Sequence, residues 1–431
     1  MKTTGRLLTL LLAGSLTLAG CGNSASQTSS STSDPNANIT LSVTHYMVEK
    51  PKVDTFKKLT DRFTELHPNI TFDVQVMPVD KYNDNIKMKV AADDQPDIIF
   101  GRPQGMVDIT KSGAFLDLTN ESFMKKVKAD YLPNVSYEGK VYGLPIDLMT
   151  NAVIYNKDLF KKAGVAIPNT YSELVQAAKT LQSKGITPFA ASWKDGASYM
   201  SFMFPDMFGN LLKDNPDYPG QIMAGEKKFS DIPGYRDFLQ RLNELSSYAN
   251  TDARDIDYDR SLQYFAQGKT AMDIMGSFAI GTIRSYNPEG NFGVFKYPAT
   301  DNADENVMTY STDDTWMIGA HSEHQDAAKQ FFAFMASDEG AQIWADGVQT
   351  ISTISDDIKP KEQDPIAKEF QEIFQTGKVI NNQVKPLWYG QYDTTFGQDL
   401  TFFLVSDPAT RSVDELLQKM DDDFSRINRM R

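Results

Sequence analysis

Apolar positions recur along the chain in two registers. In Ile39–His45, Leu41 and Val43 share one face and polar residues alternate with them. Ile70, Phe72, Val74 and Val76 alternate strictly, the period of a half-buried strand. Between them Val53, Phe56, Leu59, Phe63 and Leu66 recur at three- and four-residue steps, which predicts an amphipathic helix stopped by His67-Pro68. A further helix, capped by Asp80 and carrying Tyr82, Ile86 and Val90, leads to the short buried strand Asp97–Phe100. Strand–helix–strand–helix–strand implies right-handed crossovers and a parallel sheet. Ligands of such sheets sit beyond the carboxyl ends of the strands, here His45-Tyr46, Met77 and Phe100-Gly101-Arg102.

A second α/β unit begins after Pro145. Ala152–Tyr155 reads as a strand and Lys157–Ala163 as a helix closed by Gly164. Thr170-Tyr171-Ser172-Glu173 is a capping box opening a helix with Leu174, Ala177, Ala178 and Leu181. Ser412-Val413-Asp414-Glu415 opens a last helix with Leu416, Leu417, Met420, Phe424 and Ile427.

The first twenty residues break both registers. Lys2 and Arg6 precede an apolar run, Leu7 to Leu18, that is too short for a comfortable membrane span. Leu18-Ala19-Gly20-Cys21 closes it and looks like a bacterial lipoprotein lipobox, with a lipid attached at the Cys21 thiol. Two acyl chains suffice for stable anchoring where one is marginal. Gly22 to Asn38 is Ser, Thr, Asn, Ala and Gln, with too little apolar surface to offset its ordering entropy. Residues 1–20 are therefore expected to be a signal and 21–38 a flexible tether. Gly22 and the Ser-rich tether lean toward a Gram-positive cell surface.

Removing the signal takes Lys2 and Arg6 and brings the net charge from −14 to −16. So acidic a body argues against nucleic acid as a partner, because phosphate contacts need clustered cations. One cysteine excludes an intrachain disulfide and a Cys-based zinc site. No metal or cofactor is expected. Length alone suggests two or three domains.

Several blocks stand together in one order. They are Pro96–Phe100, Gly139–Pro145, Ile154–Gly164, Gly268–Asp273 with Gly276-Ser277-Phe278, Ala327–Phe332 and Ser337–Gly340. The chain so resembles the extracellular solute-binding protein family 1, the sugar-binding proteins of bacterial ABC importers. The resemblance implies a periplasmic-binding-protein-like α/β fold: two α/β lobes, a hinge of three crossings, and a ligand cleft between the lobes. The crossings are expected near Asp147–Thr150, Pro298–Glu305 and Ile343–Val348. Residues 39–147 plus 305–345 would then form the N-terminal lobe, and 148–304 plus 346–431 the C-terminal lobe. The family usually carries Trp where this chain has Phe278, and a phenyl ring offers a smaller stacking face.

A pyranose has an apolar C–H face for an aromatic ring and a belt of hydroxyls for carboxylates, amides or guanidinium groups. Places that bring such residues together are His45, Tyr46 and Glu49 after the first strand, Phe100 and Arg102 after the third, and Asp147 at the first crossing. Trp193, Phe278, the run Asp313, Asp314 and Trp316, and the cluster Trp388, Tyr389 and Asp393 complete the expected ligand-binding set. Trp344, inside a helix, is expected in the core.

The function implied is capture of an oligosaccharide by lobe closure and delivery to separate ABC permease subunits, by a monomer that breaks no bond. A secreted, lipid-anchored glycoside hydrolase is the alternative, since it also needs paired carboxylates, as is a receptor for a non-sugar solute. No Gly-x-Ser-x-Gly, Walker A or His-Glu-x-x-His string occurs.

Overall fold

A computed structural model describes residues 37–194, 197–382 and 391–430, without side-chain detail at 79, 80 and 197–201. The expected signal, Cys21 and all but the end of the tether lie outside the described residues.

The strands, in chain order, are β1 (Ile39–His45), β2 (Ile70–Val76), β3 (Ile98–Phe100), β4 (Ser136–Tyr137), β5 (Lys140–Val141), β6 (Gly143–Pro145), β7 (Asp147–Asn156), β8 (Thr187–Phe189), β9 (Thr270–Gly276), β10 (Phe292–Phe295), β11 (Met308–Thr312), β12 (Thr315–Ile318), β13 (Ile351–Ser352) and β14 (Val379–Asn381). One five-stranded sheet has the order β2-β1-β3-β12-β6. Its first three strands are parallel, as the strand–helix alternation predicts, and β12 runs antiparallel to β3 and β6. A seven-stranded sheet has the order β14-β11-β7-β9-β8, with β10 and β13 also paired to β7. These sheets are the cores of two lobes.

The first helix, α1 (Lys50–Leu66), has Pro51 at its start and lays Phe56, Leu59 and Phe63 against the first sheet. Helix Asp338–Val348 packs beside α1. Around the second sheet, Asn156 caps helix Lys157–Ala163 and Thr170 caps helix Tyr171–Ser183, each side chain accepting a backbone N–H.

The chain passes between sheets at Pro145–Asp147, Thr312–Thr315 and Val348–Ile351. The second passage falls later than Pro298–Glu305. β11 pairs antiparallel with β7 from Thr309 opposite Asn151 to Thr312 opposite Leu148, which holds it in the second sheet. Only Asp313-Asp314 separates it from β12 in the first. The third passage also comes later than Ile343–Val348, because helix Asp338–Val348 stays on α1 until Gln349 ends it at φ 67°.

Direction places the ligand-facing ends. β12 starts at the second crossing and is antiparallel to β3, so β3 and its parallel neighbour β1 end at the junction of the lobes. β7 leaves the first crossing, and β9 runs antiparallel to it, so β9 and the parallel β8 end there too. Tyr46, Arg102, Trp193 and Phe278 follow those four ends.

From Asn38 onward the chain forms one compact unit. Among the described residues no helix is long and apolar enough to cross a membrane.

Candidate functional site

The three crossings meet at one carboxylate. Asp147 is fully buried. Its Oδ1 accepts the backbone N–H of Asp314 (2.9 Å). Its Oδ2 accepts the indole N–H of Trp344 (2.9 Å) and the hydroxyl of Thr350 (2.6 Å). Asp314 belongs to the second crossing, and Trp344 and Thr350 flank the third. Asp147 was expected to face the ligand; with its oxygens so engaged, it is instead the knot of the hinge. Trp344 is in the core, as expected.

Lys52 supplies the countercharge. It lies on the inward face of α1, one turn before Phe56, and is buried. Its Nζ is 2.7 Å from Asp313 Oδ2 and 2.8 Å from Asp314 Oδ2. Carboxylate oxygens of Asp147, Asp313 and Asp314 lie within 4.8 Å of one another, and the Lys52 ammonium is the cation of that cluster. Burial opposes the Lys52 charge, but Asp313, Asp314 and Asp147 outweigh it and hold its pKa well above the ordinary range. Burial and the Asp147 charge push Asp314 well up, against the pull of Lys52. Burial and Asp313 raise Asp147, against Lys52, Thr350 and Trp344. Asp147 and Asp314, buried around one ammonium, therefore take up a proton more readily than free carboxyls would.

Other expected ligand residues are also core. Trp316 is fully buried and stacks on Phe56, with centroids 4.4 Å apart at 12°. Asp314 is fully buried against Lys52. His45 packs edge-on to Phe56 and Trp316, and its Nδ1 accepts the Met47 N–H (3.2 Å). Burial lowers its pKa to about 4, so the imidazole is neutral. Trp193 is buried against Phe202 in the second lobe. Phe100 is buried between Trp316 and Tyr46. An aromatic or acid beside a strand end satisfies the same sequence pattern whether it points into the cleft or into the sheet.

The rest converge at the lobe junction. Tyr46 is half-buried, edge-on to Phe100 and Tyr82. Burial raises its pKa; Arg102 and Lys52 oppose the rise, while Asp313 and Asp314 add to it. Arg102 is half-buried and its Nη1 donates to the Thr312 carbonyl at the second crossing (3.0 Å). Asp393 opens helix Gln391–Val405 of the second lobe and is exposed. Protein on its flanks nonetheless desolvates its carboxyl and raises its pKa, while the Arg102 charge lowers it. Exposure at the tip with desolvation around it is what a cleft wall produces. Phe278 is half-buried, with Lys52 Nζ 6.0 Å from its ring and Tyr258 at 6.5 Å. Glu49, at the N-cap of α1, raises the Tyr258 hydroxyl after burial itself. Tyr46, Glu49, Arg102 and Asp313 thus face Phe278, Tyr258 and Asp393 of the other lobe. Trp388 and Tyr389 lie outside the described residues.

Lys52 and Tyr258 were missed. For Lys52 the signal was present: a cation in register with Phe56, Leu59 and Phe63 on an apolar helix face. For Tyr258, following the N-cap Asp257, nothing local set it apart.

Two lobes, three crossings and facing strand ends make a binding cleft. The family profile described as bacterial extracellular solute-binding protein matches residues 49–342. The chain belongs to that family. Among its relatives, the multiple sugar-binding protein of Streptococcus mutans serotype c is 26% identical over 314 residues, 70% of this chain and 72% of that protein. The melibiose/raffinose/stachyose-binding protein MelE of Bacillus subtilis is 25% identical over 349 residues, 79% of each. The structure of RafE in complex with raffinose matches this solute-binding fold with a TM-score of 0.73 at 23% identity, covering 90% of this chain and 99% of that one. RafE from Streptococcus pneumoniae in its apo form matches with a TM-score of 0.70 at 22% identity, over 92% and 99%.

Proposed function

We propose that this solute-binding protein is the oligosaccharide receptor of an ABC importer. The observation that carries the reading is the cleft wall: Tyr46, Tyr258 and Phe278 offer ring surface, and Glu49, Arg102, Asp313 and Asp393 offer charged hydrogen-bonding groups, from both lobes. A pyranose needs that combination of apolar face and polar belt. The names of the curated relatives, which bind multiple sugars or melibiose, raffinose and stachyose, support the same class. Trp388 and Tyr389 belong to the proposed site by their place just before helix Gln391–Val405.

Lobe closure on the sugar presents both lobes to separate permease subunits, and the sugar leaves chemically unchanged. The thiol of Cys21 carries the lipid anchor, and residues 21–38 span from membrane to body, on a Gram-positive surface. The receptor works as a monomer. Replacing Cys21 by Ser should release the protein into the medium; retention on the membrane would refute the anchor.

Calorimetric titration with raffinose, stachyose, maltodextrins, xylo-oligosaccharides and chitin oligosaccharides tests the ligand class. Saturable binding of at least one is expected. No binding by any, or release of reducing ends from one, would replace the receptor with another solute specificity or with a hydrolase. Phe278→Ala and Asp393→Ala should each weaken binding by roughly tenfold, about 1.4 kcal/mol, with the melting temperature of the ligand-free protein nearly unchanged. A large loss of fold stability instead would return either residue to a packing role.

A further inference from the structure

The first turn of α1 touches the opposite lobe. A Cβ built on Gly281, in helix Ile280–Tyr286, would lie 2.5 Å from Cγ and 3.0 Å from Cβ of Pro51. Carbon atoms do not pack that closely, and the pyrrolidine ring has no rotamer that swings it away. Glycine weakens a helix relative to alanine. Gly281 is not among the glycines at positive φ, so its backbone needs no glycine. The close approach of Pro51 is what the missing side chain admits.

The two helices belong to different lobes. α1 packs on the first sheet, whereas Ile280 and Ile283 pack with Ala152, Ile154 and Phe292 of the second. Both helices follow strand ends that point at the junction, β1 and β9. The contact therefore lies on the side where the lobes face each other. The same turn of α1 sends Lys52 to Asp313 and Asp314 in the second crossing and brings its ammonium over Phe278. One rigid turn thus contacts the opposing helix, the opposing aromatic and the second crossing.

We propose that the first turn of α1 is a closure latch, and that Gly281 is the notch whose depth sets how far the lobes close. Its consequence for ligand affinity rests on the receptor function proposed above; the contact itself does not. Spin labels at Lys125→Cys and Lys184→Cys, exposed positions on the first and second lobes, report the interlobe distance in a Cys21→Ser background. Gly281→Ala should shift the distance distribution of the ligand-free protein to longer values and weaken oligosaccharide binding by roughly tenfold. Alanine favours the helix, so opening would not come from helix loss. Pro51→Ala in the Gly281→Ala background should return the distribution to that of Pro51→Ala alone, since the clashing ring is gone.

An unchanged distribution in Gly281→Ala, or additive effects in the double variant, would overturn the latch. If Gly281→Ala does not fold, Pro51→Ala alone decides: a broader distribution supports the latch and an unaltered one refutes it. A distance shift with Pro51 rescue in a protein that binds none of the sugars would keep the latch and remove the oligosaccharide reading.

Discussion

Asp147 accepts three donors, one from the second crossing and two that flank the third: the Asp314 amide, the Trp344 indole and the Thr350 hydroxyl. Truncation would strand all three in a buried site and leave Lys52 facing fewer acids. Asp147→Ala should cost about 3–5 kcal/mol, the usual penalty for breaking a buried charged network. Trp344→Phe deletes only one donor and should cost less, about 1–3 kcal/mol. Urea titration of the two variants orders them, and equal costs would mean that loss of indole packing dominates. Asp273 is a different kind of buried acid. It sits in the middle of β9, paired in register with Ile154, and among the described residues its Oδ2 finds no hydrogen-bond partner. Burial alone pushes its pKa well above the ordinary 3.8. The folded state then binds a proton that the unfolded chain releases. Its contribution is whole below pH 3.8 and is lost as pH rises from there to the folded-state pKa, at up to about 1.4 kcal/mol per pH unit. The stability difference between wild type and Asp273→Asn should follow that slope in urea titrations from pH 4 to 8. A pH-independent difference would mean the carboxyl is ionised when buried.

At the scale of elements, local chemistry wrote most of the boundaries. The alternation at Ile70–Val76, the Thr170 box and the glycine at 164 each predict an element that the structure contains. Gly164 closes its helix at φ 65° with its N–H on the Lys161 carbonyl. A Cβ there meets no neighbour among the described residues, so Gly164→Ala should cost only the left-handed backbone penalty, about 1–2 kcal/mol. Thermal unfolding measures it, and a neutral substitution would show that the turn relaxes. The sheet to which a strand belongs was not legible. β11 and β12 are separated by two residues yet lie in different sheets, and only the pairing of β11 with β7 decides it. The same blindness holds for side chains. Asp147, Asp314 and Trp316 read as cleft residues because acids beside aromatics suit a sugar, while Lys52, which pairs with Asp314 and its neighbour Asp313, lay on another element far away in sequence. Arg102, just past the end of β3, and Asp393, in the first turn of helix Gln391–Val405, lie at the element ends where the sequence pattern looked for polar groups.

At the scale of the molecule, the hinge is not a loose linker. Leu148 and Ile354 from the crossings are buried in the same apolar cluster as Phe56, Phe331 and Trp344 of the first lobe, with Tyr310 and Phe374 of the second packed against it. Apolar continuity and the Asp147 knot join the two lobes. A ligand that contacts both lobes shifts the open–closed balance only by its differential affinity for the closed state, and at a hundredfold excess over Kd it adds about 2.7 kcal/mol to stability. Because the lobes share this cluster, wild-type protein should unfold in one calorimetric transition that moves upward as a whole with ligand. Asp147→Ala loosens the knot but leaves each sheet intact. Its ligand-free endotherm should therefore split in two, one for each lobe, and saturating ligand should draw the two together. A single endotherm merely displaced to lower temperature would mean that the apolar cluster alone couples the lobes, and that the buried acid serves stability without carrying cooperativity.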